Sequence, residues 1–222
     1  ADFLMVLSAG LFRLAGCSSI AALMPYGNAN SLVWSIAESQ VMPRVGDIPV
    51  FLGVCAQDPD LNPALLFARV RAAGFVGVTN FPSVGFIDGG YRLALEETGL
   101  GYDREVAFLH HAHDFGLMTT AFTFTSREAI SMVRAGVDII CLDLGFAEWR
   151  DLREEDHRDA LDHAIRYVTE VVHEVKEASP NPFVVVFGGP IGTPSDVAQL
   201  CQHADIQGYV GGAASSASPR RP

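Results

Sequence analysis

Cysteine is scarce in this chain, and what there is does not sit in groups. Cys17, Cys55, Cys141 and Cys201 lie far apart with no C-x-x-C spacing. Reduced thiols in a cytoplasmic protein are the expectation. Cations are also short, with 15 Lys and Arg against 26 Asp and Glu and a net charge of −11. That deficit argues against nucleic acid and anionic membrane surfaces, both of which reward clustered Lys and Arg. A small anionic metabolite stays open as a partner, because a local pocket can oppose the global field. Long apolar runs are missing too. The opening "ADFLMVLSAGLF" is too short for a membrane span and has Asp2 where a signal peptide wants positive charge, so it reads as a strand.

What the sequence does have is apolar content, 49% against 18% charged, which excludes disorder and suits a globular α/β protein. Short β-rich runs alternate with helical patterns along the whole length. Strands are expected at 3–8, 48–55, 74–80, 117–124, 137–145, 182–189 and 206–212. Most are continuously apolar, as in parallel strands covered on both faces. Helices are expected at 62–74, where Pro63 opens and Gly74 stops the pattern, and at 125–136, where Thr125 and Ser126 are cap candidates. A long amphipathic helix spans about 156–178, with Leu161, Ala164, Ile165, Val168, Val171, Val172 and Val175 on one face. A further helix at 193–203 begins on Thr193 and Pro194.

This alternation means a parallel sheet, doubly wound or closed into a barrel. Seven strands stand where a closed barrel needs eight, and the first falls at the very start of the chain. The expectation is a TIM (β/α)8-type barrel over 1–216 whose first βα unit is absent from this chain. The remainder, 217–222, is a low-complexity tail.

In parallel α/β folds the chemistry sits at the carboxyl ends of the strands. The residues expected there include Ser8, Cys55, Asp58, Asn80, Thr119, Asp143, Gly188, Gly189, Gly212 and Ser215. Asp143 is the strongest titratable candidate, since a carboxylate ending an otherwise apolar run is costly to bury without a partner. It would accept hydrogen bonds, bind a metal or act as acid or base. Asn80 ends the apolar run "GFVGVTN" and leads into the turn-rich "FPSVGFIDGG", which suggests a binding loop. The glycines of "FGGPIGTPSD" and "YVGGAASS" would let backbone N–H groups approach an anion; two ordinary tight turns are the alternative, and the place of both pairs after the last two strands favours the anion site. Glu96 and Glu97 are adjacent on a helix and point apart. The solvated reading is stronger for Glu96, which leaves Glu97 as the one to turn inward. Cys55 has no adjacent histidine to activate it, and "HHAHD" at 110–114 lacks a completing ligand set. Those histidines read as packed or surface residues.

The segments "MPYGNAN", "GVCAQDP", "GFVGVTNFPSVGFIDG", "LEETGLGYDREV" and "FGGPIGTPSD" occur together in this order. With them the chain resembles the phosphoenolpyruvate hydrolase-like TIM-barrel family, also called the TIM-barrel signal transduction family. That family contains stand-alone bacterial proteins and the C-terminal barrels of plant and fungal two-domain proteins. The resemblance implies an eight-stranded barrel, a small phospho- or phosphono-carboxylate as ligand and a homo-oligomer, with a further domain in longer members. Mg²⁺ suits such oxygen-rich ligands, although no spacing here demands it.

The chain departs from the family pattern at several points. Ser8, Leu11 and Cys17 replace an asparagine and arginines, leaving Arg13. Asp143 and Phe187 stand where histidines are usual. These replacements remove acid–base and anion-binding groups together. They favour the alternative of a non-catalytic ligand-sensing or protein-interaction domain.

Overall fold

The computed structural model describes residues 1–145 and 154–212. Among the described residues seven parallel strands follow one another in chain order, with helices between them. This is the βα repeat from which TIM-type barrels are built, with seven of the eight strands. By contacts the chain divides into two units. Ala1–Phe122 with Ala135–Asp138 make the first, and Thr123–Arg134 with the chain from Ile139 onward make the second.

The first unit contains β1 (Leu4–Val6), β2 (Val50–Val54), β3 (Gly77–Asn80) and nearly all of β4 (Met118–Thr123). Its helices are α1 (Ala9–Leu14), α2 (Ala29–Ile36), α3 (Pro63–Ala72), α4 (Gly89–Glu97) and α5 (Tyr102–Asp114). Leu4–Val6 lie opposite Val50–Leu52, Phe51–Val54 opposite Gly77–Asn80, and Gly77–Thr79 opposite Met118–Thr120. Every residue of β2 and β3 is buried, which is why these strands read as unbroken apolar runs rather than alternating ones. Asn62 caps α3 by accepting the Leu65 N–H at 3.2 Å, with Pro63 at the first helical position. The face that α3 buries centres on Phe67 and Val70.

The second unit contains α6 (Ser126–Arg134), β5 (Ile139–Asp143), α7 (Glu154–Ala178), β6 (Phe183–Phe187), α8 (Pro194–His203) and β7 (Gly208–Val210). β5 pairs with β6 over its whole length, Ile139 to Asp143 against Phe183 to Phe187. β7 pairs with the far half of β6. The apolar stripe of α7 is buried at Leu161, Ala164, Val168, Val171, Val172 and Val175. Each of the larger ones contributes about 1.5–3 kcal/mol relative to exposure. Thr125 caps α6 by accepting the Glu128 N–H. Thr193 and Asp196 form a reciprocal capping box at α8. Among the described residues no helix is long and apolar enough to cross a membrane.

One strand end and one residue's place along its strand differ from the sequence expectation. The first strand ends at Val6, and Ser8 already has helical backbone angles at the start of α1. β4 runs on to Thr123, so Thr119 lies near the strand's beginning and not at its carboxyl end.

Candidate functional site

In the first unit the densest polar cluster is built around a residue that the sequence reading passed over, Glu105 on α5. Its side chain is fully buried. Oε2 accepts the Asn80 amide at 2.6 Å and the Ser83 hydroxyl at 2.7 Å. Oε1 accepts the Val84 N–H at 2.8 Å and the Gln57 amide at 3.0 Å. Four donors account for the acceptor sites of a carboxylate. Burial nevertheless pushes its pKa up to about 7, against the lowering effect of those four partners. A signal for Glu105 was available. It occupies the apolar register of its helix, in line with the buried Tyr102, Phe108, Leu109 and Ala112.

Asn80 is therefore placed differently from the expectation. It does not present its amide to an open mouth; it is completely buried toward α5. Its Oδ1 accepts the Phe122 N–H at 2.7 Å, and its Nδ2 also donates to the Phe122 carbonyl at 3.0 Å. The side chain acts as one more peptide unit between β3 and β4. Both of its polar ends are engaged by the protein.

Cys55 and Asp58 are brought together by Asn30. Asn30 accepts the Cys55 N–H at 2.8 Å and donates to the Cys55 carbonyl at 3.1 Å and to Asp58 Oδ2 at 2.8 Å. Asn28 donates to the same Asp58 oxygen at 2.7 Å. Burial pushes the Asp58 carboxyl up, but the donors from Asn28, Asp60 and Asn30 outweigh it and hold its pKa below the ordinary value. The Cys55 thiol is half-buried, donates to Gln57 Oε1 at 3.8 Å, and is pushed up in pKa chiefly by burial. A raised thiol pKa is the opposite of what a nucleophile needs.

The other candidates of this unit stay apart from these clusters. Ser8 is buried, with a hydroxyl that has no partner. Arg13, in the last turn of α1, is half-buried. Thr119 is held by Asp138, which accepts both its N–H at 2.7 Å and its hydroxyl at 2.8 Å. This commitment at the strand's start takes it out of a ligand site. Glu97 is exposed at the end of α4. Glu96 is exposed as well, accepting the Tyr102 N–H at 3.2 Å and pairing with Arg92 at 2.6 Å on the surface. The histidines at 110, 111 and 113 are exposed on α5.

In the second unit the site forms around Asp143, the last residue of β5. Its side chain is 3% exposed. Oδ1 accepts the Gly145 N–H at 2.8 Å, while Oδ2 has no hydrogen-bond partner among the described residues. Burial pushes the carboxyl up to about 7, and the single bond from Gly145 offsets only part of that. Asp143 lines a cavity of about 680 Å³ together with Phe124, Pro190 and one face of α7, from which come Asp159, His163 and Tyr167. That volume is in the range of small-molecule sites. The Tyr167 hydroxyl donates to the Phe124 carbonyl at 2.8 Å and ties α7 to the end of β4 within this unit. No lysine or arginine is among the described lining residues.

Gly188 and Gly189 follow β6 with φ of 75° and 64°, backbone that side chains other than glycine's adopt only under strain. A Cβ on Gly188 would stand 2.7 Å from the Gly145 carbonyl oxygen, and one on Gly189 2.6 Å from the Leu144 Cβ. The Gly189 N–H donates to the Gly145 carbonyl at 3.2 Å. The glycines thus allow close approach of the two loops beside Asp143. The Gly189 N–H is thereby taken up by a protein partner. Gly212 stands just beyond β7, and Ser215 lies outside the described residues. Among the described residues no three of His, Cys, Asp and Glu come together in a way that could hold a metal ion.

A parallel βα protein of TIM type, with a buried carboxyl ending its fifth strand beside a cavity, is the class these observations define. The chain belongs to the phosphoenolpyruvate hydrolase-like family, whose pattern matches residues 1–220. Two tomato (Solanum lycopersicum) proteins are similar to it, the ToMV susceptible protein tm-1(GCR26) and the ToMV resistance protein Tm-1(GCR237). Each is 34% identical over 219 residues, covering 98% of this chain and 29% of the tomato protein. The chain thus spans less than a third of the length of these relatives. Among solved structures, an N-acetylmannosamine-6-phosphate 2-epimerase from Clostridium perfringens aligns over 96% of this chain and 86% of its own. Its sequence identity is 14% and its TM-score 0.47, a level of likeness that says nothing of activity.

Proposed function

We propose that the chain binds a small phospho- or phosphono-carboxylate beside Asp143 and hydrolyses or lyses it, with Asp143 as the acid–base group. The observation that carries this reading is the buried Asp143 carboxyl among the residues that line a ligand-sized cavity, its Oδ2 without a hydrogen-bond partner among the described residues. A buried polar atom left unpaired costs about 1–3 kcal/mol, so a bound group that pairs with it is favoured. Membership of the family supports the substrate class.

With phosphoenolpyruvate the step balances simply. Water adds to phosphorus, the bond between phosphorus and the enol oxygen breaks, and the departing enolate takes up a proton to give pyruvate beside inorganic phosphate. A carboxyl still protonated near neutral pH is suited to supply that proton. The test is pyruvate release from phosphoenolpyruvate and from phosphonopyruvate, with and without Mg²⁺. Turnover that falls about 100-fold or more in Asp143→Ala supports the reading. No turnover from folded protein with either substrate would sink the catalytic part.

A second reading, a non-catalytic domain that senses a ligand or contacts another protein, draws on the absence of Lys and Arg among the described cavity residues. Phosphoryl chemistry ordinarily relies on cationic groups at the developing charge. A ligand that raises the melting temperature without being consumed would favour this second reading.

A further inference from the structure

We infer that α1 and the chain that follows it to Tyr26 form a self-association face, on which a second copy of this chain docks. The inference is independent of the cavity beside Asp143. A short 3₁₀ turn, Ser19–Leu23, comes after α1 and packs against it. The Tyr26 ring then lies against Phe12 of α1, with centroids 5.6 Å apart. This arrangement holds five large apolar side chains in the open. Leu14 is 86% exposed, Tyr26 68%, Met24 55%, Ile20 50% and Leu11 37%. Leu11 and Leu14 are three apart on α1 and so share one face. Together the five leave about 600 Å² of side chain bare, the upper end for the largest apolar patch of a monomer. That approaches the roughly 800 Å² that each partner buries in a standard interface.

Charge points to a second copy as the occupant. From Phe3 to Ala37 the one charged residue is Arg13, in a chain that is 18% charged and carries a net charge of −11. Two such copies repel wherever their acidic surfaces face each other. A two-fold contact sets the same patch against itself, so a patch of one sign would meet its own sign. A face almost free of charge lets two copies meet without that cost. A cationic partner would be drawn instead to the acidic remainder of the surface, and nucleic acid and anionic lipid would be repelled by it. The side chains suit the role as well, since the cores of interfaces are poor in charge and enriched in Met and Tyr. Asp58, which accepts the Asn28 amide at 2.7 Å, stands at the margin and fits a polar rim.

The experiment is sedimentation velocity on the wild-type chain up to about 100 μM, above the micromolar limit of the affinities that interfaces of this size show. Wild type is expected to sediment as a dimer in the upper part of that range. Added salt should tighten the dimer, because screening weakens the repulsion between two acidic copies. Leu14→Lys and Met24→Lys should each raise the dissociation constant by about tenfold or more. Lysine makes each copy less acidic, so a lost dimer reports on the face and not on the overall field. Both side chains are exposed, so the variant monomers should melt within about 2 °C of the wild-type monomer. Leu65→Lys, at a comparably exposed leucine on α3, should leave association unchanged. A wild-type chain that stays monomeric at the highest concentration overturns the inference and leaves the face to a different partner. So does a dimer that survives both Leu14→Lys and Met24→Lys, one that Leu65→Lys breaks as readily, or one that salt dissociates.

Discussion

The Asn80 amide donates to the Glu105 carboxylate at 2.6 Å in a place that water does not reach. One contact joins the end of a strand to the first turn of a helix, and the same Nδ2 together with Oδ1 of Asn80 also engages both backbone groups of Phe122. The loop that follows is held by the same carboxylate, through the Ser83 hydroxyl and the Val84 N–H. The polar end of an apolar strand is thereby explained as a joint between β3, β4 and α5.

Replacing Asn80 by Ala should accordingly be felt as a loss of stability. It strands the Phe122 N–H and removes one of the four donors from Glu105. At about 1–3 kcal/mol for each buried group left unpaired, the expected loss is about 3 kcal/mol, read as a lower midpoint in urea unfolding. Glu105→Gln should cost a similar amount, because the new NH₂ turns a donor toward groups that are themselves donors. A loss well under about 1 kcal/mol in both variants would mean that the cluster is not the joint it resembles.

Glu105 also shows where a sequence can and cannot be read. The parallel strands and their order follow from continuous apolar runs, and the caps at Asn62, Thr125 and Thr193 follow from short-range hydrogen bonding. Asp143 was legible for a related reason: it is the one carboxylate in a strand that is otherwise apolar and wholly buried. The Glu105 cluster draws its partners from 21 to 48 positions away in the chain. Only the fold brings them together, although the acid in an apolar helical register was a usable sign. Thr119 opens the run expected at 117–124, and its bonds to Asp138, 19 positions away, give it a partner that only the fold supplies. Gly188 and Gly189 were recognised as turn residues, but the carbonyl at Gly145 that occupies the Gly189 N–H belongs to a different strand's loop.

The pH dependence of stability follows from the sign of the Asp143 shift. Its folded pKa of about 7 lies above the ordinary value of 3.8, so the native state holds a proton that the unfolded chain releases. The contribution is fully present below about pH 4, declines as pH rises, and is gone once pH passes about 7. A shift of this size corresponds to something on the order of 4 kcal/mol. Asp143→Asn should therefore match wild type at pH 4 and exceed it clearly at pH 8 in chemical denaturation. Glu105 adds a change of the same sign in the first unit. Equal stability of wild type and Asp143→Asn at both pH values would show that Asp143 titrates as an ordinary carboxyl.

Gly189→Ala tests the closeness of the two loops beside Asp143. The added methyl would stand 2.6 Å from the Leu144 Cβ on a backbone with φ of 64°. Strain of about 1–3 kcal/mol is expected from the backbone alone, with the clash adding to it. The melting temperature should fall, and ligand binding at the cavity should weaken because Gly145, which holds Asp143 Oδ1, is displaced. If instead the substitution is tolerated, these loops are free to separate.

The position of the ligand can be tested without touching any polar group. Ala160 lines the cavity from α7 and is half-buried, so a larger apolar side chain there can enter the empty volume without breaking a hydrogen bond. Ala160→Phe is expected to change the melting temperature of the free protein little, since it fills space that holds no protein atoms. It should abolish the upward shift that phosphonopyruvate produces in wild type, because a ligand stabilises only through the state it binds. A preserved shift in Ala160→Phe would place the ligand elsewhere in the fold and leave the Asp143 carboxyl without its proposed partner. A lost shift, with Asp143→Asn still responsive, would tie ligand and carboxyl to the same cavity.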